Sequence, residues 1–295
     1  MKISVIQKIA ASAIISLGAI ATALPAQAGS LINGWNYARD DYSYDGSDSN
    51  GYNANSRWDI YGMGYKVVGN DVFVGINSSN SLNGVNDNSK NIGFGALFLD
   101  FDYGKTGNNF STVQGTNSLV GIRFAPNNDF GGASVGVYTG VTGQNIAASN
   151  NGYASYNAYT TSAGTSKAGD LASNDSYFAH YIDNGGALPL EIATGTLFAG
   201  GNLNYFNQTD LTAIGFPPTI NLDSTNPNTF GFKFTLPNEY QGKNFLATLG
   251  FECGNDLVAV KPVPVPPAIA GILAAGAFGG WRAAKRKKQL KAVAA

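Results

Sequence analysis

The chain has 295 residues, of which 44% are hydrophobic and 13% charged, with 38 glycines and a formal charge of −1. Near-neutrality hides a division: residues 29–260 hold nine Lys or Arg against all nineteen Asp or Glu, a net of about −10, which repels phosphate backbones and anionic headgroups and argues against nucleic acid as a partner. A single cysteine, Cys253, rules out an intrachain disulfide or a thiolate cluster, and a single histidine, His180, rules out multi-histidine metal sites.

Residues 1–28 have the three parts of a secretory signal. Lys2 and Lys8 open it, an apolar run follows from Ile9 to Leu24, and the small residues Ala26 and Ala28 precede Gly29. The pattern predicts export and a signal peptidase cut between Ala28 and Gly29. An uncleaved anchor is the competing reading, opposed by Pro25 and by the small residues of the peptidase site. The folding part then spans 29–260, room for a single domain.

That part opens Gly34-Trp35-Asn36-Tyr37-Ala38-Arg39-Asp40-Asp41, followed by Tyr42, Asp45 and Gly46. Asp41, Ser43 and Asp45 place oxygen side chains at positions 1, 3 and 5 of a calcium loop, with Gly46 at position 6. Position 12 is Tyr52 rather than a bidentate Glu, so a solvated acidic turn competes with a Ca²⁺ site. No other cofactor is expected.

Stretches rich in β-branched and aromatic residues then recur: Trp58 to Val68, Asp71 to Ile76, Ile92 to Phe101, Leu119 to Phe124, Ser134 to Val141, Phe230 to Leu236 and Phe245 to Phe251. The cleanest alternates Phe230, Phe232, Phe234 and Leu236 on one face with Gly231, Lys233 and Thr235 on the other, which predicts one buried face and one wet face. Asn50-Gly51, Asn83-Gly84, Asn127-Asn128 and Asn151-Gly152 supply turns. The expected class is all-β, a two-sheet sandwich of jelly-roll-like topology. Residues 147–177 are less regular, and Tyr153, Tyr156, Tyr159 and Leu171 suit one short amphipathic helix.

Catalytic signals are weak, and no enzymatic activity is expected. Glycoside hydrolysis needs two carboxylates, and the three Glu residues, 191, 239 and 252, cannot be paired across a cleft from sequence. Asp100 and Asp102 share one side of a strand. His180 reads as a packed or surface residue, and Cys253 as a small buried hydrophobe, with an intermolecular disulfide as its alternative. The 15 tyrosines suit stacking on sugar rings, so a carbohydrate-binding module stands as the alternative to a structural or adhesive surface role.

The other end runs from a proline-rich stalk at 261–267, with Val263-Pro264-Val265-Pro266 at its centre, through an apolar Ala/Gly-rich segment at 268–281, to a basic tail at 282–295. The prolines keep the stalk extended. As a helix the apolar segment spans about 21 Å, short of the roughly 30 Å hydrocarbon core, so it makes a weak anchor. Arg282, Lys285, Arg286, Lys287 and Lys288 would stop transfer and stay cytoplasmic, which leaves 29–260 outside.

Proline motif, short apolar helix and basic cluster in that order resemble the PEP-CTERM sorting signal read by exosortases, with Val265 in place of the usual Glu. An ordinary uncut single-span anchor remains the alternative. Arg39-Asp40-Asp41, the later Phe251-Glu252-Cys253-Gly254-Asn255-Asp256 and Val120-Gly121-Ile122-Arg123-Phe124-Ala125 resemble the cyanobacterial exosortase-dependent surface proteins named for an x-Asp-Asp motif. The resemblance covers most of the chain. It implies signal peptidase and exosortase as processing partners, an inner-membrane intermediate, display at the cell surface or beyond it, and exopolysaccharide as a neighbour. It carries over no catalytic residues.

Overall fold

The computed structural model describes residues 29–40, 47–48, 51–52, 57–128, 134–153, 155, 158, 168–172, 175–178, 189–217 and 228–263. The strands in chain order are β1 (Ser30–Ile32), β2 (Trp35–Arg39), β3 (Ser47–Asp48), β4 (Gly51–Tyr52), β5 (Gly62–Val68), β6 (Asp71–Ser78), β7 (Val85–Asp87) and β8 (Lys90–Ile92). They continue as β9 (Leu97–Asp100), β10 (Leu119–Arg123), β11 (Gly136–Gln144), β12 (Glu191–Phe198), β13 (Asn204–Asn207), β14 (Asn228–Thr235), β15 (Leu246–Gly250) and β16 (Leu257–Val260). Two short helices, α1 (Phe110–Val113) and α2 (Gln208–Ala213), interrupt them.

Two six-stranded antiparallel sheets result. Sheet I has the order β1-β2-β5-β6-β14-β13 and sheet II the order β12-β11-β10-β9-β15-β16; β3-β4 and β7-β8 are separate hairpins. The chain completes four strands of sheet I, crosses to build β9 to β12 of sheet II, and then adds one hairpin to each sheet. The return of β15 to the free side of β9 gives sheet II the spatial order of a Greek key. In sheet I, β14 simply extends the meander beyond β6, so one of the two Greek keys of a jelly roll is present among the described strands.

Period-2 alternation explains the layering. Phe230, Phe232, Phe234 and Leu236 do share one buried face, while Lys233 on the other face donates to Asp71 Oδ2 at 2.8 Å. Facing them from sheet II are Leu97, Leu99, Val120, Ile122, Ala247 and Leu249. Phe124 stacks on Phe232 with ring centroids 4.4 Å apart. Each such Phe contributes roughly 1.5–3 kcal/mol by leaving water.

Both sheets are also covered on their outer faces. Sheet II is roofed by α1 and by residues 147–153, 168–172 and 175–178, which bring Phe110, Val113, Leu171, Tyr177 and Phe178 onto Phe98, Tyr138 and Ile192. On sheet I, Gly64, Gly75 and Gly231 stand side by side in register across three strands. A Cβ on Gly75 would lie 2.5 Å from the Phe216 ring and one on Gly64 3.2 Å, so these two missing side chains form the slot that Phe216 fills, while the bare Gly231 makes room for Leu211.

Several expectations change. Leu171 lies in an isolated bridge with Ala168, not in a helix, and Tyr153 follows a single 3₁₀ turn at Ala147–Asn150; Tyr156 and Tyr159 lie outside the described residues. The stretch expected at 92–101 is broken by Gly93 and Gly95 into the end of β8 and the short β9. Asp100 therefore ends a strand and Asp102 sits in the following turn. Their roles diverge: Asp100 is buried and accepts from the Asp102 N–H at 2.8 Å, whereas Asp102 pairs outward with Lys105 at 2.5 Å.

Candidate functional site

The described residues place two polar assemblies at the two ends of β16. The first is a cleft of about 380 Å³ beside the 251–256 turn. Its walls come from four separate segments: Arg57 and Trp58 before β5, Asp87 and Asn88 at the β7-β8 turn, Asn150 to Tyr153, and Asn255. Local chemistry sets each wall. Asn88 and Ser89 hold φ of 48° and 70°, the paired positive values of a two-residue hairpin turn, which aims Asp87 at Arg57. Arg57 donates to Asp87 Oδ1 at 2.8 Å and lies 5.2 Å from the centroid of the Trp58 ring. The Tyr153 N–H donates to the Cys253 carbonyl at 2.9 Å, and the Asn151-Gly152 turn allows this because a Cβ on Gly152 would collide with that carbonyl.

The floor beneath the cleft is fixed by carboxylates that accept from backbone. Asp256, fully buried, accepts from the Ile60 N–H at 2.5 Å and from the Leu257 N–H at 2.6 Å; Glu252 accepts from the Gly93 N–H at 2.8 Å. Among the cleft walls themselves, Asn150 is only 1% exposed and its Oδ1 has no hydrogen-bond partner among the described residues. A buried amide oxygen left in this state is costly unless a ligand or water supplies a donor.

Charge in the walls cancels, because Arg57 and Asp87 neutralise each other and the remaining polar groups are amides and a phenol. The chemistry on offer is a set of neutral donors and acceptors beside two aromatic rings. That set suits hydroxyl groups and C–H faces better than it suits an ion.

The second assembly lies at the far end of β16. Lys261 N–H donates to Asp170 Oδ2 at 2.9 Å, Gly29 packs its Cα against the same carboxylate, and Val263 N–H donates to Asn36 Oδ1 of β2 at 2.9 Å. Residues 168–171 run beside β16, with Asp170 N–H donating to the Ala259 carbonyl at 2.9 Å and Ala259 N–H to the Ala168 carbonyl at 3.2 Å. This covers the free edge of sheet II. Asp40 joins the same corner by accepting from the Gly169 N–H at 2.8 Å.

Of the residues singled out from sequence, Gly29 and Val263 are thus brought to one corner. Ala28, the calcium candidates Asp41, Ser43 and Asp45, His180, the motif residues Pro264, Val265 and Pro266, the 268–281 segment and Arg282, Lys285, Arg286, Lys287 and Lys288 lie outside the described residues. Among the described residues no three His, Cys, Asp or Glu side chains cluster as metal ligands, and no helix is long and apolar enough to cross a membrane.

The candidate carboxylates have structural partners. Glu191 accepts from the Ile192 N–H at 2.8 Å and from the Asn128 amide, which ties the 125–128 loop to β12; Glu252 holds Gly93 as above. Glu239 is exposed on a 3₁₀ turn. Cys253 is buried in the inter-sheet core and burial pushes its thiol up to about 12, so the intermolecular disulfide is not available to the folded chain.

Sequence reasoning missed Arg57, Asp87, Asn150, Asp170 and Phe216. The adjacent Arg57-Trp58 and the Asn150-Asn151-Gly152 turn were visible signals; nothing local marked Asp170. No family model, no curated protein and no solved structure matches the chain.

Proposed function

We propose that this chain is an exported surface protein whose β-sandwich head is displayed after two cuts, one after Ala28 by signal peptidase and one near Pro264-Val265-Pro266 by an exosortase. The head has a structural or adhesive role and no catalytic one. Its jelly-roll-like sandwich is the scaffold, and neutral polysaccharide outside the cell is its partner.

The observation that carries this reading is the separation along β16. The residues that follow the predicted signal and those that open the predicted stalk meet at one corner, through Gly29, Asp170 and Lys261. The cleft begins at Asn255, about 20 Å of extended chain away at ~3.3 Å per residue. A head held at that corner turns its neutral cleft away from the membrane. The acidic charge of residues 29–260 opposes anionic glycans at long range, and the cancelled charge in the cleft leaves uncharged sugars as the favoured ligand.

The test is binding of neutral polysaccharides to the purified head and to Tyr153→Ala. Retention by the native head, reduced in the variant, supports the adhesive reading. No binding to any neutral glycan, alongside normal surface display, leaves a purely structural coat protein.

A further inference from the structure

We propose that Asp170 is a docking site for a primary ammonium, and that its ligand is the chain's own α-amino group at Gly29 once the peptide bond before it has been cut. The inference rests on the export reading for the origin of that amine, and on the geometry of the corner for its destination.

The fit is tight at Gly29. A Cβ there would lie 2.4 Å from Asp170 Oδ2 and 3.1 Å from its Cγ, so any side chain at this position would have to push the carboxylate aside. Since nitrogen and Cβ share the same Cα, the α-nitrogen lies within about 5 Å of that oxygen. Before the cut this nitrogen is an amide with one donor and a preceding chain to hold it. Hydrolysis adds water across the Ala28–Gly29 bond, leaving a carboxylate on Ala28 and an amine on Gly29 that takes up a proton at neutral pH. The new group has three donors, a full charge and free rotation about the Gly29 Cα–C bond.

Among the described residues Asp170 has no directly paired counter-charge. The Lys261 backbone N–H donates to it, but the Lys261 ammonium reaches Asp175 instead, at 3.8 Å. Among the described residues no Lys or Arg is ion-paired to Asp170. Burial pushes its carboxyl up to about 6, against smaller opposing effects of the Lys261 N–H and ammonium. Tyr65 on β5 and Tyr103 also feel its charge, and Asp40 approaches through Gly169. None of these supplies a cation.

The consequence is a link between the two processed ends. Asp170 sits on the segment that covers the edge of β16 and also holds the N–H of Lys261, where the stalk begins. An ammonium docked on it ties β1, that segment and the base of the stalk together. Removal of the signal thereby firms the platform from which the sorting motif projects.

The experiment compares two forms of the chain ending at Ala295, both kept in mild detergent. One is released from a fusion partner cut immediately before Gly29; the other retains Ala28, so that its amine is displaced by one residue. At pH 7.5 the Gly29 form should melt about 3 °C or more above the other. The gap should close as the pH falls to 4, and Asp170→Asn should abolish it. In the Gly29 form the α-amine should also acylate at least fivefold more slowly when folded than in denaturant. Equal melting across the pH range, a gap that survives Asp170→Asn, or acylation at the denatured rate would overturn the proposal. The first residue of the naturally secreted protein, read by mass spectrometry, separates the two layers: a start other than Gly29 sinks the cleavage reading, while the melting comparison still decides whether Asp170 takes the amine.

Discussion

The two ends of β16 handle buried carboxylates in opposite ways. At the 251–256 turn, Asp256 and Glu252 are each met by backbone N–H groups, and the resulting rigid floor carries a cleft with no net charge in its walls. At the other end Asp170 accepts one N–H and, among the described residues, is ion-paired to no cation, while burial pushes its carboxyl up to about 6. A carboxylate whose partners are built into the fold serves architecture. One whose partners fall short is poised to respond to a new group.

The largest effect should come from breaking the well-matched end. Asp256→Ala leaves two buried N–H groups without acceptors, a cost of about 3–5 kcal/mol, or a melting temperature roughly 10 °C lower. A loss below about 1 kcal/mol would show that the turn is not held as described.

The poorly matched end should respond to pH with the opposite sign from an ordinary paired Asp. In the form that retains Ala28, the Asp170 carboxyl is raised from 3.8 to about 6, so the folded state binds more protons than the unfolded one between these values. Stability from this group is full below pH 3.8 and is lost as the pH rises through 6. Discounted for partial solvent exposure, the loss is about 2 kcal/mol at most. Asp170→Asn should flatten this part of the profile, which a melting series from pH 3.5 to 7.5 would reveal. A profile unchanged by the substitution would mean that Asp170 is not the responsive group.

In the cleft the expected effect is on binding. Tyr153→Ala should weaken a neutral glycan by about tenfold, some 1.4 kcal/mol, with a melting shift of no more than a few degrees. Loss of binding only in parallel with unfolding would remove the cleft from consideration. The smallest effect concerns Cys253: a thiol reagent should leave the native chain unmodified and label it fully in denaturant, because the buried thiol is held at about 12.

What could be read from the sequence follows from range. The Phe230 to Leu236 alternation is local, and it identified the buried face of β14. Seven strand expectations overlap observed strands for the same reason. β16 escaped because Leu257-Val258-Ala259-Val260 is buried on both sides, by the inter-sheet core and by residues 168–171, so no alternation marks it. β12 escaped because all of it from Ala193 onward is largely exposed and rich in Thr and Gly. Hairpins and the Greek-key return differ in visibility too: hairpins are marked by their turns, whereas the return of β15 to β9 spans most of the domain.

The polar assemblies were hidden more deeply. Arg57 and Asp87 are 30 positions apart and Gly29 and Asp170 further still, so each partnership exists only once the sheets have paired. Phe216 was invisible until Gly64 and Gly75 came into register beneath it. Glycines in strands were the available signal, since each marks a place where something approaches closely.

The central claim is that both ends of the chain are processed around one head. Intact mass measurement of the protein recovered from an exosortase-bearing host, and from the same host without the protease, tests it most directly. The account predicts a species beginning at Gly29 in both hosts, and lacking residues 268–295 only where the protease is present. A mass that includes the basic tail in both hosts would contradict it and leave residues 268–281 as an ordinary anchor.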